Sequence, residues 1–270
     1  MPDADHLRLD LVLLKQVSSS RLALWNILHL NQFCFPMGQV LVAATHELLL
    51  RLNLPAVFHQ IDWLETAMVH ALSTADGWVE LLRSDHQDLP LDGSPLETTK
   101  SPILTEQPPW ISALSVLDAE TGLHMLEHML SNAFGTPAVR RLGALELAVS
   151  NEYVCHVHLL RPRRHVFPDP AVSWYLGLRT EVGCVPRLEA ELVIRLNQFN
   201  AMSSLMASTL VFHQRKHLVL LTSGFPLEVL QHPSTLVQVI EAHQFQAAAL
   251  YEELHELFGL RSIAGYHLGF

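Results

Sequence analysis

The alternation of apolar and polar positions is most regular in the last third of the chain. Residues 187–200 place apolar side chains at helical spacing, which predicts an amphipathic helix. Two branched apolar runs, 209–212 and 218–221, flank a short polar turn and predict a β-hairpin. Residues 234–258 predict a long helix with four glutamates and no lysine or arginine, ended by Gly259. This region is therefore expected to fold as helix, strand, strand, helix.

The region before it predicts one more helix and three more strands. Asp118 is a suitable N-cap, and the apolar spacing that follows continues to about Phe134, before Gly135. The three strands are expected at residues 145–149, 153–160 and 173–182. From Asp118 onward the order is helix, three strands, helix, two strands, helix. That order predicts an α+β fold in which antiparallel sheets are flanked by helices.

The N-terminal part predicts a shorter version of the same order: strand, helix, two strands, helix. These elements are expected at residues 7–17, 21–33, 40–44, 47–52 and 61–83. Five prolines then fall within residues 84–111, among Asp, Ser, Thr and Gly. Such a composition is typical of an exposed linker, and a structureless loop of this length is uncommon inside one compact unit. We therefore expect an N-terminal unit (1–83), a linker (84–111) and a complete C-terminal unit (112–270).

The two predicted units share a short repeat. Leu-Asn-Gln-Phe occurs at residues 30–33 and again at 196–199. Setting Pro55 against Pro226 aligns further positions of the two parts: Val40 with Val211 and His46 with His217. A four-residue identity also arises by accident in a leucine-rich chain. The matching order of elements nevertheless favours an internal duplication, with the two parts pairing as a pseudo-dimer.

Composition and charge exclude several classes of protein. The chain has 270 residues, of which 49% are hydrophobic and 16% charged, so a substantial core is expected. Its formal charge of -10 argues against a nucleic-acid partner, because a phosphate backbone needs a basic surface. No apolar run approaches the length of about 20 residues that spans a bilayer, so no membrane partner is expected. Three cysteines without a C-x-x-C pair, and an N-terminus unlike a signal peptide, favour the cytoplasm.

The order helix, three strands, helix, two strands, helix in an acidic chain resembles the type III secretion chaperone-like fold. That group includes the small effector chaperones of secretion systems and the YbjN-type proteins. The matching stretches are the helix ending at 196–200, the hairpin at 209–221 and the helix at 234–258. Since the usual member is roughly half as long, the resemblance implies tandem units fused into a pseudo-dimer.

The resemblance also implies a function without catalysis and without a cofactor. Secretion chaperones dimerise and bind an unfolded segment of an effector in extended form. The expectation for this chain is a cytoplasmic chaperone or adaptor whose partner is an extended segment of a client protein, with self-association as a further expectation. A YbjN-like regulatory dimerisation module that has no client is an alternative.

A candidate client-binding surface lies on the strand at 173–182 and on the basic loop before it. An exposed sheet edge can accept a peptide as an additional strand, and neighbouring side chains then select its sequence. The candidate residues are apolar or basic: Trp174, Leu178, Phe167, Arg163 and Arg164. The alternative is that Trp174 and Leu178 belong to the core and that the basic loop is merely solvated.

One motif favours chemistry instead. His124, Glu127 and His128 fit the pattern H-x-x-E-H, which resembles the zinc helix of pitrilysin-type peptidases. The two histidines are one helical turn apart and can hold zinc together, while Glu127 would act as general base. A third ligand is required, for which Glu189 and Glu191 are candidates. The alternatives are thus a zinc-dependent hydrolase or an amphipathic helix with histidines at its rim.

A second histidine pair lies on a predicted strand. His156 and His158 are two residues apart and so share one face of that strand. Such a pair can bind a metal together, or it can form part of a solvated strand face.

Overall fold

The computed structural model of the chain describes residues 6–17, 21–31, 38–55, 119–141, 144–148, 154–160, 175–203, 206–213, 216–226 and 233–262. The helices in these ranges are α1 (Arg21–Leu30), α2 (Ala119–Phe134), α3 (Ala190–Met202) and α4 (Pro233–Phe258). The strands are β1 (His6–Leu14), β2 (Gly38–Val42), β3 (Leu48–Pro55), β4 (Val139–Arg141), β5 (Ala144–Ala148), β6 (Val154–Leu160), β7 (Tyr175–Val185), β8 (Ala207–His213) and β9 (Lys216–Pro226). None of these helices has the length and hydropathy needed to cross a bilayer.

The strands form two antiparallel sheets, which confirms the predicted α+β fold class. The larger sheet has six strands in the order β4-β5-β6-β7-β9-β8, and the smaller has the order β1-β3-β2. From α2 to α4 the elements follow the predicted order, with the short strand β4 in addition. Gly135 and Gly259 follow α2 and α4 with positive φ angles of 65° and 63°, the conformation expected of glycine after a helix.

The helices α2 and α4 cover one face of the larger sheet. α4 contacts β7 and β9, whereas α2 contacts β5 and β6. Period-two alternation directs one set of strand side chains toward these helices, including Leu145, Val157 and Leu178, which are fully buried. Leu126 of α2 and Leu250 of α4 belong to the same cluster. The core of this part is therefore a layer between sheet and helices.

The N-terminal strands and α1 share this core with the C-terminal part. One cluster of buried side chains runs from Leu14 and Leu28 to Leu196 and Leu254. α1 packs against α3 and β8, and α3 packs in turn against β2. The helix expected at 61–83 and the linker expected at 84–111 lie outside the described residues. The proposed unit boundaries therefore stay a prediction.

Hydrogen bonds also connect the N-terminal and C-terminal parts at the ends of two helices. A side chain of β9 bonds to the end of α1, and a side chain of β2 bonds to the end of α3. Thr222 of β9 donates a hydrogen bond to the carbonyl oxygen of Asn31, just after α1, at 2.7 Å. In the opposite direction, the amide of Gln39 in β2 donates to the carbonyl oxygens of Asn200 and Ser203 at the end of α3. The last carbonyls of a helix have no partner within the helix, so these bonds satisfy buried acceptors.

The pairing of β1 with β3 has the same register as the pairing of β7 with β9. His6 pairs with Pro55 in the smaller sheet, and Tyr175 pairs with Pro226 in the larger one. An irregularity follows at corresponding places, between Val12 and Leu14 in β1 and between Glu181 and Gly183 in β7. The three strands β1-β3-β2 thus repeat the order and register of β7-β9-β8.

The Leu-Asn-Gln-Phe copies do not occupy corresponding positions in these two parts. The side-chain amide of Asn31 bonds to both the N–H and the C=O of Val40 in β2, at 2.8 and 2.9 Å. Asn200 makes the same two bonds to Ser208 in β8, at 2.6 and 3.0 Å. The counterpart of Asn31 is therefore Asn200, one helical turn beyond the aligned Asn197.

The expected alignment of Val40 with Val211 is also wrong, because the strands that follow do not pair in the register that it assumed. Val40 pairs with Leu50 of β3, and Ser208 pairs with Leu221 of β9. With Pro55 and Pro226 in corresponding positions, Val40 therefore matches Ser208. The connection between the two strands differs in length between the parts, which a gapless alignment cannot represent.

Candidate functional site

The outer edge of β1 is one of the two edges of the smaller sheet. β1 pairs with β3, and no other described strand pairs with it. Leu9, Leu11 and Leu13 are only partly buried against the core, and Val12 is 49% exposed on the opposite face. In the larger sheet the corresponding edge, that of β7, is covered by β6. Among the described strands, the outer edge of β1 is therefore unpaired at the place where its counterpart β7 pairs with β6.

Charged side chains hold β1 in place from one face of the sheet. Arg51 is buried and donates to Asp10 through Nε at 2.7 Å and through Nη2 at 3.0 Å. Its Nη1 donates to the carbonyl oxygen of Ala201 at 2.5 Å, which ties β1 and β3 to the end of α3. Arg8 donates to the same carboxylate at 2.6 Å from the exposed side.

These bonds keep Asp10 ionised. Partial burial alone would raise the pKa of Asp10, but the hydrogen bonds and positive charges of Arg51 and Arg8 outweigh it and lower the pKa. The carboxylate is therefore negative throughout the neutral range, and the edge of β1 carries a fixed Arg8–Asp10 charge pair.

A second group of charged residues lies on the larger sheet, on the face opposite α2 and α4. Glu146 of β5 pairs directly with His156 of β6, which pairs with Arg179 of β7. His156 Nδ1 is 4.0 Å from Glu146 Oε1, and His156 Nε2 is 3.9 Å from Glu181 Oε1. His158 lies beside His156 with its ring centroid 6.4 Å away. The sheet thus brings two carboxylates, two imidazoles and a guanidinium together.

Burial shifts the pKa values of two residues in this charged group, Glu181 and His158, and both shifts favour the neutral form. Burial and the neighbouring Glu146 carboxylate raise the pKa of Glu181 to about 7, although Arg179 acts in the opposite direction. Burial, together with the charges of Arg179 and His156, lowers the pKa of His158 to about 3. His158 is therefore neutral at physiological pH, while Glu181 changes its charge there.

Glu181→Gln is expected to flatten the dependence of stability on pH. Because the folded-state pKa of about 7 exceeds the ordinary value of 4.5, Glu181 favours folding below pH 4.5, and this contribution is lost as the pH rises through 7. Urea unfolding measures the decrease in the free energy of unfolding between pH 5 and pH 8. This decrease should be larger for the wild type than for the variant by on the order of 1–2 kcal/mol. Glu241→Gln, on the exposed surface of α4, serves as the control. Equal losses in wild type and Glu181→Gln would contradict this assignment.

The H-x-x-E-H stretch lies on α2 with its histidines toward solvent. His124 is 75% exposed, and its Nδ1 is 3.4 Å from Glu127 Oε2. The same oxygen accepts from Arg140 Nε at 3.0 Å, an interaction that competes with a role for Glu127 as general base. His128 Nδ1 is 3.0 Å from the side-chain amide of Asn132.

Within the described ranges, no group of three His, Cys, Asp or Glu residues is arranged to hold a metal ion. Glu189 and Glu191, the candidate third ligands, are exposed at the start of α3 and join no such group with the α2 histidines. His156 and His158 are close neighbours, but they too are part of no metal-holding group there.

A serine and a histidine form a pair beneath α4. Ser223 Oγ and His243 Nδ1 are 3.0 Å apart, and both side chains are buried. Burial lowers the pKa of His243 to about 3, against a smaller opposing effect of the backbone bond to Leu221. At physiological pH this buried histidine is neutral, and its contact with Ser223 connects α4 to β9.

The structure corrects one candidate for the client-binding surface. β7 lies inside the larger sheet, and residues 175–180, which include Leu178, pair with β6 on one side and with β9 on the other, so this stretch has no edge for an added strand. Leu178 is fully buried and belongs to the core, which was the alternative to its role in client binding. Trp174, Phe167, Arg163 and Arg164 lie outside the described residues, and their proposed roles stay predictions.

Sequence reasoning missed the residues that the sheets assemble. Alternation in 7–11 marks β1 as a strand, but only the sheet order reveals that it lies at an edge. Glu146 is a charged residue between two apolar ones in a predicted strand, which places it opposite the core. That signal could have suggested the charged face, although not its partners from β6 and β7.

Comparisons of the chain with protein-family models, with curated proteins and with solved structures found no match.

Proposed function

We propose that the protein is a non-enzymatic chaperone or adaptor that binds an extended segment of a client protein along the outer edge of β1. The observation that carries this proposal is that no described strand pairs with the outer edge of β1, at the place where β6 pairs with β7. Strand addition to such an edge supplies main-chain hydrogen bonds and places alternate side chains against the apolar face. The resemblance of the element order to secretion chaperones supports the same role.

The pairing of β6 with β7 indicates which kind of segment suits the edge. Val157 and Cys155 of β6 lie opposite Leu178 and Thr180 and direct their side chains into the core. A client strand in the same position on β1 would place apolar side chains beside Leu9, Leu11 and Leu13 at every second position. The intervening side chains would lie on the face of Arg8 and Asp10. The expected client segment is therefore extended, with alternating apolar and polar residues.

We also propose that the two parts arose by duplication and pair as a built-in pseudo-dimer. The repeated register of β1-β3 and β7-β9, the matching irregularities, and the amide bonds of Asn31 and Asn200 support it. The C-terminal part has covered its β7 edge with its own strands β6, β5 and β4. The N-terminal part would then supply one client-binding edge per chain.

Site-specific photo-crosslinking tests the client-binding role. A photoreactive amino acid at Val12, expressed in the native cells, is expected to link the protein to a polypeptide of different sequence. The same substitution at Phe245, an exposed residue of α4, is the control. Mass spectrometry should find the linked residue within a segment of alternating apolar residues, and a synthetic peptide of that segment should protect β1 amides from hydrogen exchange. Equal crosslinking from both positions, or a peptide that leaves β1 unprotected, would refute the proposal.

A further inference from the structure

We infer that the edge of β1 is self-complementary and that, without a client, it pairs antiparallel with β1 of a second copy of this chain, Leu9 opposite the partner's Leu9. The pairing would join two three-stranded sheets into one six-stranded sheet around a two-fold axis. It uses the edge invoked in the proposed function, but its physical basis does not require a client.

The sequence of β1 is symmetric in charge about Leu9. Arg8 precedes this residue and Asp10 follows it, with Leu7 and Leu11 outside them. In an antiparallel pair centred on Leu9, Arg8 lies opposite the partner's Asp10, and the two-fold axis repeats the contact. Directly opposite residues of antiparallel strands are close enough for unlike charges to stabilise the pair.

Neighbouring registers lack this complementarity. Centring the pair on Arg8 or on Asp10 places like charges directly opposite each other, which is unfavourable. Moving the register by a single residue places a leucine opposite a charged residue and brings the apolar face of one sheet next to the polar face of the other. Only the register centred on Leu9 combines unlike charges with a continuous apolar face.

The charges are already fixed in the single chain. Arg51 binds both carboxylate oxygens of Asp10, and Arg8 binds Oδ2 from the solvent side. The side chain of Arg8 is 53% exposed and that of Asp10 26%, so both can take part in an additional contact. Ordering these side chains in the dimer therefore costs little additional conformational entropy.

The apolar face also gains from the pairing. Leu9 and Leu11 are only partly buried against the core, and they lie on a strand whose outer edge pairs with no described strand. The partner's Leu9 and Leu7 would stand directly opposite these residues in the inferred register. A client strand and a second copy would therefore compete for one surface, since an edge accepts a single strand.

Sedimentation equilibrium of the full chain tests the dimer. The wild type is expected to show a reversible monomer–dimer equilibrium at micromolar concentrations. Arg8→Asp places two acidic pairs across the axis and should weaken the dimer roughly tenfold or more. Arg187→Asp makes the same change of charge at an exposed position after β7 and should leave the equilibrium unchanged. A monomeric wild type, or an Arg8→Asp variant that dimerises like the control, would overturn the inference.

Disulfide trapping tests the register independently of that variant. Leu9→Cys places two thiols directly opposite each other at the axis, within reach of a disulfide after a small adjustment. Val12→Cys provides a more exposed thiol, but in the inferred register its copies stand roughly 20 Å apart. Mild oxidation should link Leu9→Cys into dimers faster than either Val12→Cys or the wild type. Equal rates would exclude the pairing and leave the client-binding proposal to its own crosslinking test.

Discussion

Replacing Leu178 with alanine is expected to lower the free energy of unfolding by about 2–5 kcal/mol. The side chain is fully buried between the larger sheet and its helices, on a strand paired along both sides. Its removal takes apolar atoms from the core and leaves a cavity that packed neighbours cannot fill completely. Urea denaturation monitored by circular dichroism measures the change.

Leu257→Ala is the matched control for this prediction. Leu257 is 59% exposed on α4, so the same truncation should change the stability by less than about 0.5 kcal/mol. If Leu178 instead contacted a client, Leu178→Ala would weaken binding while keeping the stability of the wild type. That result would contradict the placement of Leu178 in the core.

Arg51→Met is expected to destabilise the protein by about 2–4 kcal/mol. Among the described residues, the substitution leaves Asp10 with the exposed Arg8 as its partner, and it removes the donor to the carbonyl oxygen of Ala201. Removing one partner of a buried ion pair lowers the stability by more than the intact pair contributed, because the remaining charge stays partly desolvated. The exposure of Asp10 to solvent keeps the expected value at the lower end of the range for buried pairs.

Two further variants test this explanation. Arg8→Met removes the other, exposed partner of Asp10 and should cost less than about 1 kcal/mol. The double variant Asp10→Asn with Arg51→Met should be less destabilised than the sum of its single variants, since the isolated charge is then absent. Additive losses would show that Asp10 and Arg51 do not act as a pair.

The elements with regular periodicity could be predicted from the sequence. α2 and α4 carry apolar residues at helical spacing and are followed by glycines, and β6 alternates buried Cys155, Val157 and Leu159 with His156 and His158. β4 was missed because three residues, two of them arginines, contain no recognisable alternation. Short strands form because a neighbouring strand offers hydrogen bonds, which is a tertiary effect.

The candidate sites were harder to predict because they depend on which strands become neighbours. Glu146 and His156 lie on consecutive strands, but Arg179 comes from a later strand, and all three meet through the register of β5, β6 and β7. The Leu-Asn-Gln-Phe repeat was misleading for a similar reason. Asn197 and Asn200 lie one turn apart on α3, and only their bonds to β2 and β8 distinguish their roles.

The bonds between the two parts also affect the order in which the chain can fold. The carbonyl oxygen of Asn31 accepts from Thr222, and Val42 is bonded through both backbone groups to Asn197. During synthesis these partners emerge only after most of the chain has been made. Closing such long loops is slow, because their entropy must be lost before the contacts can form. The N-terminal strands are thus expected to complete their packing last, although the ribosome makes them first.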